Sequence, residues 1–155
     1  MSARKFLVTG AAGRIGTAFW TAHADRLDLR LADIAVQKFP KSAQRFSLDV
    51  RDQSSCLEAC KGIDTVIHLA ADPSPDANFM TSLLPVNIVG TYNMLFAAKA
   101  QGCRRFIFAS SAQAVEGYPK DVQVHEHSRP GQEIFMGSAK HLGRLSHRCM
   151  QTMVK

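Results

Sequence analysis

Three glycines and a carboxylate carry the most explicit chemistry in this 155-residue chain. The run Gly10-Ala11-Ala12-Gly13-Arg14-Ile15-Gly16 follows the apolar stretch Lys5-Phe6-Leu7-Val8-Thr9 directly and leads into a helical pattern. Glycine at the first position permits a tight turn. At the second it removes a side chain where a pyrophosphate must approach, and at the third it lets the helix lie close to a sheet. The first N–H groups of that helix, around Arg14, Ile15 and Gly16, lack intrahelical acceptors and sit at its positive end. Asp33, at the end of the next apolar stretch, is placed to accept from adenosine ribose hydroxyls. A carboxylate there repels a 2'-phosphate and no arginine follows it, so the pattern favours NAD over NADP.

Further along, Asp49-Val50 closes a short third strand. The carboxylate can accept from an adenine amino group while the Val50 N–H donates to the ring. An alternative is an Asp cap for the turn into Arg51 and Asp52. Leu69-Ala70-Ala71 supplies small residues where backbone must pass beneath a cofactor. Asn87 either holds backbone across the sheet or is an ordinary solvent-facing helical asparagine. The pair His125-x-His127 with Glu126 lacks the third and fourth ligands of a metal site. Cys56, Cys60, Cys103 and Cys149 are too few and too irregular for a disulfide framework, which points to reduced thiols in a cytoplasmic protein.

These groups need a scaffold, and the hydrophobic pattern provides one. Strands are expected at 5–9, 27–34 (with Leu29, Leu31 and Ala32 inward), 45–48, 65–69 and 105–109. Helices are expected at 15–25 and 54–61, with Gly62 as a stop. A polar loop covers 72–78, with Pro73 and Pro75 excluding regular helix. The next helix shows Val86, Val89, Leu95, Phe96 and Ala100 at helical spacing and ends at Gly102. An irregular polar segment fills 117–131, and a final helix spans 138–153. Alternating strands and helices of this kind predict an α/β fold, a Rossmann-like doubly wound parallel sheet of about five strands in one domain over 1–155. Six strands would complete such a sheet, so this one is expected to be truncated at its C-terminal side.

Composition is that of a soluble globular domain, with 46% hydrophobic and 21% charged residues. No apolar stretch is long enough for a signal peptide or a membrane span. The net charge of +6 lacks the aromatic-interleaved basic face of a nucleic-acid binder. Attraction of anionic ligands is the better use for it.

Taken together, Gly10, Gly13, Gly16, Asp33, Asp49-Val50, His68-Leu69-Ala70-Ala71 and Asn87 resemble the extended short-chain dehydrogenase/reductase family, also called the NAD-dependent epimerase/dehydratase family. The opening glycine run, Ala32-Asp33-Ile34 and Phe108-Ala109-Ser110-Ser111 are most similar to its uronate dehydrogenases. Those oxidise the anomeric carbon of galacturonate or glucuronate to a lactone and pass hydride to NAD. The resemblance implies that Ser111 is the catalytic serine, or only a strand-end hydroxyl, and that Lys140 holds the nicotinamide ribose or acts as a base.

One departure is decisive for the chemistry. The family's Tyr-Gly-x-x-Lys segment reads Met136-Gly137-Ser138-Ala139-Lys140, so the catalytic tyrosine position holds methionine. Relatives also run well beyond this length, adding the last strands and a substrate lobe. The resemblance therefore implies an NAD-binding protein with impaired or no turnover. Its alternatives are a catalytically silent interaction or regulatory module, and a truncated sugar-nucleotide epimerase/dehydratase. A small sugar acid is the substrate if the chain is active. It further implies a homodimer through helices at about 85–101 and 138–153, with Met94, Leu95, Leu142, Leu145 and Met153 available to a partner.

Overall fold

The computed structural model describes residues 4–111, 118–119 and 121–125. Five strands, β1 (Lys5–Thr9), β2 (Asp28–Asp33), β3 (Gln44–Ser47), β4 (Thr65–His68) and β5 (Arg105–Phe108), form one sheet in the order β3-β2-β1-β4-β5. All four pairings are parallel. Thr9 at the end of β1 lies beside both Ala32 of β2 and His68 of β4. The strand ends are thus aligned along one edge.

Alternation along the strands explains why the runs are continuously apolar. Leu7, Ala32 and Val66 face one layer, with Cys56, Ala59 and Cys60 of α2 (Gln53–Cys60) and Met94, Ala97 and Ala98 of α3 (Gly90–Ala100). Val8, Leu31 and Ile67 face the other, where Phe19 and Trp20 of α1 (Arg14–His23) pack with Phe39. A parallel sheet covered on both faces leaves no side for polar residues.

Local chemistry sets the helix limits. The Asp52 carboxylate accepts from Ser54 N at 2.9 Å and starts α2. At its other end the Arg30 guanidinium of β2 donates to Ala59 O at 2.6 Å and Lys61 O at 3.0 Å, taking up carbonyls the helix leaves open. Gly62, at φ 69°, then turns the chain out of the helix, and Gly102, at φ 71°, does the same after α3.

Among the described residues the order of strands and main helices matches the expected one, and the strand bounds differ from it by one residue or so. The helix after β4 does differ. It starts at Phe79, well before residue 85, and Phe79–Val89 is wound as a π-helix before α3 takes over. Leu83 N donates to Asn78 O at 3.1 Å, and Gly90 N–H reaches Pro85 O. Pro85 has no N–H and clashes with the carbonyl four residues back in an α-helix, which a wider winding relieves. A 3.6-residue period does not run through such a segment. Hence Val86 packs on the core and Leu95 is buried, whereas Val89, Phe96 and Ala100 are exposed. Met94 and Leu95, expected to be available to a partner, are 0% and 4% exposed and belong to the core. Leu142, Leu145, Met153 and the rest of the expected helix over 138–153 lie outside the described residues. Among the described residues no helix is long and apolar enough to cross a membrane.

Candidate functional site

Strand order reverses between β1 and β4: the chain proceeds from β1 toward β2 on one side, and from β4 toward β5 on the other. Connections leaving these two strands diverge to opposite faces and open a crevice at their C-terminal ends. The glycine loop occupies one wall. Gly10 has φ +65°, and a Cβ there would lie 2.6 Å from Ala70 N and 2.8 Å from Leu69 C. The loops after β1 and β4 therefore touch backbone to backbone. A Cβ on Gly16 would strike Gly10 O and Ala11 Cα, so α1 starts hard against the loop. Gly13 is different. It is exposed, and a Cβ there would meet only Gly10 O, at 3.2 Å. A side chain there would press on that carbonyl only, and the exposed face of Gly13 leaves its backbone open to approach.

Gly13 also caps α1 without any side-chain hydrogen bond, and the first turn holds no acid. No acid of the helix itself offsets its dipole, and Arg14 and Ile15 in that turn are both exposed. Asp33 stands next to this helix end. Its Oδ2 accepts from Ala12 N and its Oδ1 from Ala35 N, each at 3.0 Å. A carboxylate has about four acceptor sites, so two remain for hydroxyl donors. Adjacent Ile34 is 73% exposed and Ile15 in the first turn of α1 is 67% exposed. Both stand exposed at the ends of elements that flank the glycine loop. The sequence pattern hides them, because each reads as an ordinary strand-end or helix residue.

At the end of β3 the Asp49 carboxylate is held by Arg51, whose backbone N, Nε and Nη2 all donate to it at 2.6–3.0 Å. The guanidinium holds the carboxyl below its ordinary pKa, against a smaller opposing effect of burial. Of the two readings, the turn into Arg51 is the contact present. The three donors make four contacts, two on each oxygen, so an incoming donor must share the carboxylate with the exposed Arg51 side chain or displace it. Val50 is buried.

Behind β4 runs a hydrogen-bonded column. The Thr91 hydroxyl donates to Asn87 O at 2.7 Å, so its oxygen accepts from His68 Nε2 at 3.3 Å. His68 Nδ1 then accepts from the Thr9 hydroxyl at 2.8 Å, a tautomer assigned from this network. Thr9 Oγ1 in turn accepts from Leu69 N and Ala70 N at 3.3 Å. Asn87, 2% exposed, accepts from Asp72 N at 2.8 Å and donates to Asp72 O at 3.1 Å. It is a clamp on the loop after β4 and does not face solvent. Ser82 donates to the Asp72 carboxylate and fastens the same loop to the π-wound segment. Ala71, partly buried, lies in that loop. Thr9, Thr91 and Asn93 escape a sequence reading, since a polar residue buried for hydrogen bonding looks like any other polar residue.

Ser111 lies just beyond β5, partly buried, at the same edge of the sheet. Met136, Lys140, His127 and Cys149 lie outside the described residues. Cys56 and Cys60 are buried, and burial pushes the Cys56 thiol up to about 12. A hydrogen bond with Cys103, reinforced by burial, raises Cys60 further. Such thiols are inert packing groups. Among the described residues no group of three His, Cys, Asp or Glu side chains could hold a metal ion.

Residues 6–135 match the NAD dependent epimerase/dehydratase family. An NAD-dependent glucose-6-phosphate dehydrogenase from Haloferax volcanii is 38% identical over 134 residues, covering 83% of this chain and 51% of that protein. The crystal structure of a uronate dehydrogenase from Agrobacterium tumefaciens is 28% identical with a TM-score of 0.87, covering 99% of this chain and 57% of that one. A mutant of that enzyme complexed with NAD matches at 27% identity and a TM-score of 0.87, covering 97% of this chain and 57% of that one. The chain spans about half the length of the curated relatives it matches.

Proposed function

The chain belongs to the NAD-dependent epimerase/dehydratase family, and we propose that it binds NAD in the β1/β4 crevice as a uronate-dehydrogenase-like protein with little or no turnover. The observation that carries the reading is the glycine loop meeting Asp33. An exposed glycine and an uncapped helix end lie beside a carboxylate that is itself bonded to the loop. Gly10, Gly13, Arg14, Ile15 and Gly16 receive the pyrophosphate on backbone N–H groups, where charge and dipole are complementary. Asp33 takes the adenosine ribose hydroxyls, and Asp49 with Val50 takes the adenine edge. Leu69, Ala70 and Ala71 form the floor of the crevice, with Asn87 fixing the loop that follows. Lys140 holds the nicotinamide ribose, and Ser111 donates to a sugar oxygen. When bound, NAD supplies the hydride acceptor. The impaired-turnover element rests on Met136, which has no proton to exchange. A small sugar acid remains the substrate class to test.

Calorimetric titration with both dinucleotides checks the binding. NAD should bind at least tenfold tighter than NADP, a difference of about 1.4 kcal/mol, because the Asp33 carboxylate repels the 2'-phosphate. Tighter binding of NADP, or no binding of either at millimolar concentration, would overturn the reading.

We also propose a homodimer, with α3 as part of its surface. Tyr92 and Phe96 are exposed on this helix with Val89 just before it, and the Tyr92 and Phe96 rings stack with centroids 6.3 Å apart. Spacings of three and four residues put them on one side, opposite the buried Met94 and Ala97. Light scattering at micromolar concentration should report twice the mass of one chain, and Phe96→Glu should reduce it to one. A wild-type monomer would refute this assembly.

A further inference from the structure

We propose that Asn93, in the buried face of α3, is a positioning residue that sets adenine recognition by orienting Asp49 and Val50 from behind. The inference rests on the NAD reading above and adds a residue to it.

Asn93 is 4% exposed, and its Nδ2 donates to Val50 O at 3.0 Å and Arg51 O at 3.1 Å. Val50 O and Arg51 N belong to the same peptide plane, which is rigid. That Arg51 N donates to Asp49 Oδ1 at 3.0 Å. Asn93 thus grips one side of a plate whose other side holds the carboxylate. The second Asn93 bond fixes the next carbonyl, and Asp52 N closes the turn on Asp49 O at 3.1 Å. Two neighbours tighten the grip. A Cβ on Gly90, one turn earlier in α3, would lie 2.5 Å from Val50 Cγ2, so the missing side chain lets Val50 dock against the helix. From α2, the Cys56 thiol donates to Val50 O at 3.5 Å. With the turn pinned to both helices, the Asp49 carboxylate and the Val50 N–H keep a constant separation. That is what an amino group and a ring nitrogen on one heterocycle require.

The test compares NAD with nicotinamide purine dinucleotide, which lacks the adenine amino group and keeps the ring nitrogens as acceptors. Calorimetry on the full chain should give wild type a preference for NAD of about tenfold, in keeping with loss of one hydrogen bond to a charged acceptor. Asn93→Leu, of similar size but without donors, should reduce the preference to about twofold. Asp49→Ala should do the same, and combining the two should lower it no further, because both act through one carboxylate. Asn93→Ser, a smaller change that keeps a hydroxyl donor, should fall between if Asn93→Leu does not fold.

A wild-type ratio retained in Asn93→Leu, or in Asn93→Ser where that is the folded variant, overturns the inference and leaves the NAD reading intact. So does a wild type that binds both dinucleotides equally. A wild type that binds neither removes the NAD reading itself, and this inference with it. A purely structural role for Asn93 would lower the melting temperature while leaving the ratio unchanged.

Discussion

Replacing Gly10 by alanine should remove a large share of the stability of this domain and its dinucleotide binding together. The residue sits at φ +65°, where an L side chain costs about 1–2 kcal/mol. The added Cβ also meets backbone only: Ala70 N at 2.6 Å, and Ala70 Cα and Leu69 C at 2.8 Å. No rotamer change relieves such a contact. The opposing peptide cannot retreat either, since Leu69 N and Ala70 N are both bonded to Thr9 Oγ1 and Leu69 N also to Thr9 O. A total loss of about 3–5 kcal/mol follows, a large share of the roughly 5–15 kcal/mol that holds a typical domain. At about 2–4 °C per kcal/mol, Tm falls by roughly 6–20 °C. Gly62→Ala is the matched control. Its φ of +69° imposes the same conformational cost, but nothing lies within 4 Å of the added Cβ. Differential scanning calorimetry should therefore show a Gly62→Ala shift less than half that of Gly10→Ala. Equal shifts would mean that the contact between the two loops yields, and that the crevice wall is not rigid.

The contrast between these two glycines also shows how far the sequence can be read. Gly10 and Gly62 are both legible as turn glycines, because each follows a periodic apolar segment. Only the fold reveals that one is pressed against the loop after β4 and the other faces open space. The same holds for the strands. Continuous runs such as Thr65-Val66-Ile67-His68 declare a sheet buried on both faces, and β4 is buried at all four positions. The helix after it was less legible, for a local reason. Pro85 displaces the winding, and the displaced register sends Val89 and Phe96 outward while Met94 and Leu95 turn in. In the crevice, the motif residues Gly10, Gly13, Gly16 and Asp33 could be recognised because their roles follow from backbone geometry and charge at fixed offsets. Asn93 and Thr91 could not. Each acts by filling a hydrogen bond between segments distant in the chain, and no spacing rule encodes that.

No oxidation of galacturonate or glucuronate should be detectable with this chain, even with NAD bound. Turning an alcohol into a carbonyl moves a hydride to the nicotinamide ring and requires the hydroxyl proton to leave. The acceptor must stand within about 3 Å of that hydroxyl and have a pKa matched to the transfer. A tyrosine four residues before a lysine meets both conditions, because the ammonium favours the phenolate. Met136 meets neither: a thioether is a weak acceptor and is not a base near neutral pH. Loss of the proton-transfer group lowers the rate by about 10²–10⁴, enough to take a slow sugar oxidation into background. The appearance of NADH absorbance with saturating NAD and either uronate measures this directly, with calorimetry on the same sample establishing that the cofactor is bound. One substitute base is available on the chain itself. Lys140, if desolvated, would lose its proton closer to neutral pH and could take up the substrate proton. A clear wild-type rate, rising with pH and abolished by Lys140→Ala while NAD binding survives, would identify that lysine as the base and overturn the prediction. A rate that persists in Lys140→Ala would overturn it too, and would place proton transfer on a group that neither the tyrosine position nor the lysine supplies.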